Sequence, residues 1–274
     1  MSSPDESRDV SGSLIVFSDL HLTDPNEEKA RLLYDALERI NPLGVEYLVF
    51  LGDTFNFCFG SSFYAKKYAF LGAACEKLAA AGVKVVFFEG NHEFGIEGLQ
   101  WKGVSFVSEK ELILSLLSGA VFKCSHGDLI QKDLGYRLLR FVLKSRLVYF
   151  IARHISGEAL DLFASSFSRV RHIRGDRSRL NHCAIMKSVI AWASQPFSSQ
   201  KSRSAHALFG HFHEPYFARL NSTGTSTGFV VGVPGWEKPN ILVFREGEFF
   251  RSWLSEPGRP FTWSRPEVFP KIDL

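Results

Sequence analysis

Cysteine is scarce. There are four in 274 residues, with no CxxC pair and no zinc-type spacing. That excludes a disulfide framework and a thiolate metal site, and it predicts free, mostly buried thiols, as in a reducing compartment. Long apolar runs are also missing. Nothing approaches the roughly 18 uninterrupted apolar residues of a membrane span, and the best candidate, Leu147 to Ala152, is short and flanked by charge. The opening stretch MSSPDESRDVSGS has no apolar signal region; residues 1–12 are expected to be a disordered tail. Net charge is only +3, which by itself argues for no partner. Repeats and low-complexity linkers are absent.

What is present is core-forming material. Hydrophobic residues are 45% and aromatics 14% of the chain, enough for a sizeable core and too many for a disordered protein. In the first half, short apolar runs alternate with helical spacing. Leu14–Ser18, Tyr47–Leu51 and Val83–Phe88 read as buried strands. Glu27–Ile40 and Phe63–Ala80 read as helices between them. Strand, helix, strand, helix, strand predicts a parallel or mixed sheet covered on both faces, an α/β fold. Shorter strands follow over Val104–Val121, then a mostly helical segment over about 131–196. A strand at Ala205–Phe209 and several short strands with Gly and Pro turns continue to residue 254. Residues 255–274 are Pro-rich and expected to be irregular. The economical organisation is one domain over 13–254 with a helical insertion at about 131–196.

The polar chemistry sits where those strands end. "SDLHL" supplies Asp19 and His21, and "LGDTFNF" supplies Asp53. "EGNHEFG" supplies Asn91, His92 and Glu93, "CSHGD" supplies His126 and Asp128, and "FGHFHEP" supplies His211 and His213. Five strand termini in an open α/β sheet face one crevice. Aspartate, asparagine and histidine in this mix suit two divalent cations. Asp53 can bridge them, and a pair of ions about 3.5–4 Å apart can clamp a phosphoryl group. Gly52, Gly90 and Gly210 precede three of these groups and let the chain turn sharply. A single such side chain is more often a cap; five groups in this order are not.

The series SDLHL, LGDTFN, GNHE, SHGD and GHFH, over residues 14–213, resembles the calcineurin-like metallophosphoesterases. The resemblance implies a four-layered α/β/β/α sandwich with a helical cap insertion. It also implies a cofactor of two divalent ions, commonly Mn²⁺. Asp19, His21, Asp53 and His213 would hold the first, and Asp53, Asn91, His126 and His211 the second. His92 would stabilise charge or act as an acid near the leaving oxygen, so that Asp53, Asn91 and His92 are the expected catalytic residues.

The insertion selects among substrates. Between Tyr136 and Arg179 the chain carries ten Arg or Lys and three acids; that stretch is +7 and the remainder −4. If Leu134–His154 is helical, Arg137, Arg140 and Lys144 share one face, and the apolar residues, Phe141 and Leu147 among them, fill a wide arc. Ser145-Arg146 is a possible break. One reading is a helix packed on both sides. The other is a lid that lines a slot for acyl chains and touches an anionic membrane surface with its basic residues. A nucleic-acid groove would favour basic residues with spaced aromatics instead, so no nucleic-acid partner is expected. The wording "HGDLIQKDLGYRLLR", "CAIMKSVIAWA", "GHFHEP" and "VVGVPGWEKPNILVF" is similar to the UDP-2,3-diacylglucosamine pyrophosphatases of lipid A biosynthesis. That resemblance implies a nucleotide-lipid diphosphate substrate and a peripheral place on the cytoplasmic face of a bacterial inner membrane. It implies substrate contacts from Asp133 and Tyr136, with Arg137, Phe141, Leu147, Arg177 and Arg179 as further candidates. The alternative is a soluble metallophosphodiesterase or phosphatase acting on another nucleotide, nucleic acid or phosphoester.

Overall fold

The computed structural model describes residues 5–7, 9–108, 110–130, 134–162, 182–195, 204–220 and 228–267. Its strands alternate their side chains between two faces, and on most strands both faces are apolar because both are covered. Strand β1 (Asp5–Ser7) is followed by β2 (Leu14–Phe17), helix α1 (Glu28–Glu38), β3 (Tyr47–Phe50) and the short β4 (Cys58–Phe59). Helices α2 (Ser62–Lys67) and α3 (Ala69–Ala80) lead to β5 (Lys84–Phe88), the short β6 (Glu93–Phe94) and β7 (Val104–Val107). Then come β8 (Leu112–Ser115), β9 (Ala120–Ser125), α4 (Leu134–Leu143), α5 (Arg146–Arg153) and α6 (His182–Ala193). Strands β10 (Ser204–Phe209), β11 (Tyr216–Leu220), β12 (Gly228–Gly232), β13 (Asn240–Arg245), β14 (Glu248–Trp253) and β15 (Phe261–Trp263) complete the chain.

Two large sheets result. One has six strands in the order β14-β13-β2-β3-β5-β7, the other five in the order β11-β12-β10-β9-β8. β2, β3, β5 and β7 run parallel, as do β9, β10 and β12. Three separate cores fill the gaps between four layers. Ile15, Phe17, Leu48, Phe50, Val85 and Phe87 face α1 and α3. The alternate residues Leu14, Val16, Val49, Leu51, Val86 and Phe88 meet Phe122, Cys124, Leu208 and Val231 of the second sheet. On that sheet's far face, Ala207, Phe209 and Val230 meet Met186, Val189 and Ala193 of α6. The stacked rings of Phe17, Phe50 and Phe87, with centroids 5.4 and 4.0 Å apart, occupy one face at register. Each such buried ring stabilises the fold by roughly 1.5–3 kcal/mol. The four-layered α/β/β/α sandwich is therefore present as expected.

Two expectations are revised. The helix α6, expected inside the lid, forms the fourth layer of the sandwich, because its apolar residues pack on the β10–β12 face. The termini are not both irregular: β1 pairs antiparallel with β15, Asp5 opposite Trp263 and Ser7 opposite Phe261. Phe261 and Trp263 are buried in the α1-side core, which is what fixes this end of the chain. The possible break at Ser145-Arg146 is present: two helices lie within Leu134–His154, and Ser145 caps α5 by accepting a hydrogen bond from Val148 N (3.4 Å).

The lid that α4 and α5 form is inside out relative to the sandwich. Leu138 (65% exposed), Phe141 (74%), Leu147 (67%) and Phe150 (62%) face solvent. Arg140 and Lys144, expected to reach a membrane surface together with Arg137, turn inward and pair with Asp128 and Glu89; Arg137 is exposed. Among the described residues, no helix is long and apolar enough to cross a membrane.

Candidate metal centre

The parallel strands β2, β3 and β5 of one sheet and β9 and β10 of the other end at the same edge, and the loops leaving them interlock. Asp19 N donates to Gly52 O (3.1 Å), His21 N to Asp53 O (3.0 Å) and Gly210 N to His126 O (2.8 Å). The backbone there is strained. Among the described residues seven non-glycine positions have left-handed φ, and five of them are Asp19, His21, Asp53, His211 and His213. Such conformations cost about 1–3 kcal/mol each and persist only where the surroundings impose them. Each turns a side chain back into the crevice instead of letting it follow the strand.

Their ligand atoms converge. Asp19, His21 and His213 form one group, Asp53, His126 and His211 another, and His21, Asp53 and His92 a third between them; within each group the ligand atoms lie within 4.8 Å of one another. Asp53 Oδ2 is 3.5 Å from His126 Nε2 and 4.0 Å from both His21 Nε2 and His92 Nε2, so it occupies the centre. His21 Nε2 and His213 Nε2 face each other at 3.2 Å, and Asn91 Oδ1 is 3.2 Å from His126 Nε2. All eight positions expected from the sequence, including His92, meet here. A crevice of ≈ 520 Å³ opens onto them, lined also by Thr23, Glu27, Lys29, Asn56 and Glu237.

Burial and charge set the protonation pattern. Burial would push the Asp19 and Asp53 carboxyls up, but the surrounding histidines hold both below the usual range, Asp53 far below. Burial takes His21 down to about 4; in His211 burial and the neighbouring His126 do the same. His126 and His213 go the other way, to about 10. Burial opposes their charge, but Asp53 lifts the first, and Asp19 with Glu237 lifts the second. Protons on these two rings balance the carboxylates; metal binding to such a set releases them.

A second layer of side chains holds the first. His126 Nδ1–H donates to Leu51 O (2.9 Å), leaving Nε2 to face Asp53. His213 Nδ1 meets Glu237 Oε1 at 2.5 Å, and Asp19 Oδ2 accepts from Ser18 Oγ (2.5 Å) and His211 N (2.9 Å). Glu93, wholly buried, accepts from the backbone N–H of Asp53 (3.1 Å), Gly90 (2.8 Å) and Phe55 (3.1 Å) and so ties two strand ends together. Its burial, with Asp53 close by, lifts its carboxyl to about 8. Carboxylate–histidine–metal relays of the Glu237 type fix tautomer and ring orientation. Sequence reasoning gave Glu237 no role, although the acid beside Trp236 in "PGWEKPN" was the available signal.

The expected substrate contacts are more scattered. Tyr136 Oη donates to Asp128 Oδ2 (3.0 Å), with its ring 6.3 Å from that of His211. Phe141 and Leu147 lie on the solvent side of the lid. Asp133, Arg177 and Arg179 lie outside the described residues.

A UDP-2,3-diacylglucosamine hydrolase of Pseudomonas fluorescens is 29% identical over 143 residues, which is 52% of this chain and 57% of that protein's length. The protein of the same name from Pseudomonas putida is 26% identical over 232 residues, 82% of this chain and 91% of that one. That of Aeromonas salmonicida is 25% identical over 243 residues, 86% and 91%. Among solved structures, a dimetal phosphatase from Danio rerio aligns over 94% of this chain and 100% of its own at 13% identity, with a TM-score of 0.42. The model of the calcineurin-like phosphoesterases matches residues 12–215, which carry every strand end of the site, and the chain belongs to that family.

Proposed function

We propose that this protein is a dimetal hydrolase of a nucleotide-linked lipid diphosphate. The substrate is UDP-2,3-diacylglucosamine, and water cleaves its P–O–P bridge to give UMP and 2,3-diacylglucosamine 1-phosphate. The observation that carries the reading is a ligand cluster with an apolar lid bound directly beside it. The relatives that align over four-fifths of the chain bear the name of that hydrolase.

The residues fit a pair of ions. Asp19 Oδ1 is buried, makes no hydrogen bond among the described residues, and lies 3.4 Å from His213 Nε2, whose proton would be displaced by a metal ion. A buried carboxylate oxygen without a donor costs free energy unless a cation faces it. Nitrogen and oxygen donors without thiolate suit Mn²⁺ or a similar borderline ion. Asp19, His21, Asp53 and His213 would hold one ion, and Asp53, Asn91, His126 and His211 the other. The chemistry such a pair supplies is Lewis-acid stabilisation of phosphoryl charge and activation of water at neutral pH.

The chain's own groups do the rest. His92 Nδ1 lies 2.6 Å from Asn56 O and donates to it, while Nε2 faces the crevice beside Asp53. From there His92 hands a proton to the leaving oxygen or stabilises its charge. Glu93 and Glu237 hold Asp53 and His213 in place. Phe141 and Leu147 receive acyl chains. Arg137 and the apolar lid face rest on an anionic membrane surface, at the cytoplasmic side of the inner membrane. Asp133, Tyr136, Arg177 and Arg179 contact the polar part of the substrate.

The test is UMP release by Mn²⁺-loaded protein from UDP-2,3-diacylglucosamine and, separately, from UDP-N-acetylglucosamine. Rapid release from the acylated compound alone is expected. Release from neither, with hydrolysis of a generic phosphodiester, would overturn the lipid assignment and leave a soluble phosphodiesterase.

A further inference from the structure

The lid is fastened to the candidate centre at two points, and both end on the loops that present its ligands. Lys144, at the break between α4 and α5, places Nζ 2.6 Å from Glu89 Oε1 and 2.9 Å from Gly90 O. Both side chains are secluded, at 14% and 4% exposure. The other oxygen of Glu89 accepts from Ile96 N (3.2 Å), and the ammonium lies 5.6 Å from the centroid of Phe94. On α5, Tyr149 packs so closely on Gly95 that a Cβ there would come within 2.3 Å of the phenol oxygen. The lid thus grips residues 89, 90, 94 and 95, on either side of Asn91 and His92. The second point is Arg140, whose Nε is 2.6 Å from Asp128 Oδ2, two residues beyond His126.

Gly90 is where a displacement would be felt. Its N–H donates to Glu93, and an added Cβ would lie 2.2 Å from Asp53 Oδ1. His92 N donates to that same oxygen (2.9 Å). The Gly90 peptide is therefore held by the lid on its carbonyl side and by the centre on its amide side. Removing Lys144 takes the donor from the Gly90 carbonyl and, as a separate effect, leaves Glu89 a buried carboxylate without its counter-charge, so the two must be told apart.

We propose that Lys144 is a positioning residue, which sets the placement of Asn91 and His92 through the Gly90 carbonyl and so couples the lid to hydrolysis. The coupling rests on the crevice being the hydrolytic site and is independent of the substrate's being a lipid. Whatever settles under α4 and α5 and moves their junction changes the rate at the centre as well as the affinity.

Full-length Lys144→Met, Lys144→Arg and the pair Lys144→Met with Glu89→Gln test it. Each is read with bis-p-nitrophenyl phosphate, a diester with no acyl chain, by Mn²⁺ titration calorimetry, and by hydrogen exchange over residues 89–96. Lys144→Met is expected to lower kcat at least about 10-fold with KM within about two-fold, to weaken Mn²⁺ binding several-fold and to speed exchange; Lys144→Arg restores part of each. Wild-type kcat, Mn²⁺ affinity and exchange in Lys144→Met would overturn the proposal and make the lysine a simple tether. Full recovery in the double variant would overturn it too, since the damage would then be the stranded Glu89 charge. Should Lys144→Met not fold, the double variant carries the test. A wild-type protein active on the diester but not on UDP-2,3-diacylglucosamine fails the functional reading and leaves this one standing.

Discussion

The sandwich and the lid are built from similar amphipathic material and used in opposite senses. In the sandwich, every strand ending at the site buries its apolar residues against helices or the opposing sheet and sends polar residues out at the edge. In the lid, the polar residues Tyr136, Arg140 and Lys144 point toward the protein and meet buried acids, while Phe141, Leu147 and Phe150 face away. Periodicity in a sequence identifies a face; it does not say what the face will meet. The sandwich is organised by desolvation, whereas the lid combines ion pairs with the packing of Tyr149 and Ala152 on the core and leaves much of its apolar area exposed.

The largest expected effect breaks the polar edge of the sandwich. Asp53→Ala removes the central carboxylate and should cut hydrolysis by on the order of 10²–10³-fold or more; retention of more than a few per cent in a steady-state assay would refute the placement. Next, Phe50→Ala should destabilise the protein by about 3–5 kcal/mol, seen as a lowered denaturant midpoint. A loss under about 1 kcal/mol would mean that the ring stack is not the core it resembles.

His206 sharpens the contrast from within. It lies between the sheets, 1% exposed, among Phe122, Phe229, Phe244 and Phe249, and neither ring nitrogen has a hydrogen-bond partner among the described residues. Burial takes its imidazole down to about 4. The folded state therefore resists a proton that the unfolded chain accepts below about 6.5. This residue has no such effect above pH 6.5; it costs progressively more stability as pH falls and reaches about 3 kcal/mol near pH 4. His206→Phe should gain on the wild type over that interval in acid unfolding curves. Parallel curves would contradict the assignment.

Smaller effects follow. Glu237→Gln should weaken Mn²⁺ affinity by roughly 10-fold through His213, measurable by calorimetry. Phe141→Ala, on the solvent side of the lid, should shift stability by no more than about 0.5 kcal/mol. It should nonetheless raise KM for a long-acyl substrate more than for a soluble diester; equal changes would mark the helix as purely structural.

The layered α/β fold was legible because apolar strands and spaced helices alternate along residues 14–88. The ligand groups were legible because each follows such a strand. Other features were hidden for identifiable reasons. α6 continues from the lid in sequence, and only packing reveals it as a layer. The β1–β15 pairing joins Asp-Glu-Ser to a Pro-rich segment, neither of which carries a strand pattern. Glu89 is one acid at a strand end, and its partner Lys144 lies 55 residues away. Arg140 and Lys144 showed their spacing but not their direction.

Five left-handed residues crowd the centre, and glycine would sit more comfortably at each of them. Glycine at any one of Asp19, His21, Asp53, His211 or His213 would ease the backbone there while giving up the ligand atom that the strained turn presents. The strain is the cost of holding ligand atoms at these turns, so variants chosen for backbone ease alone at these five positions would give up the centre.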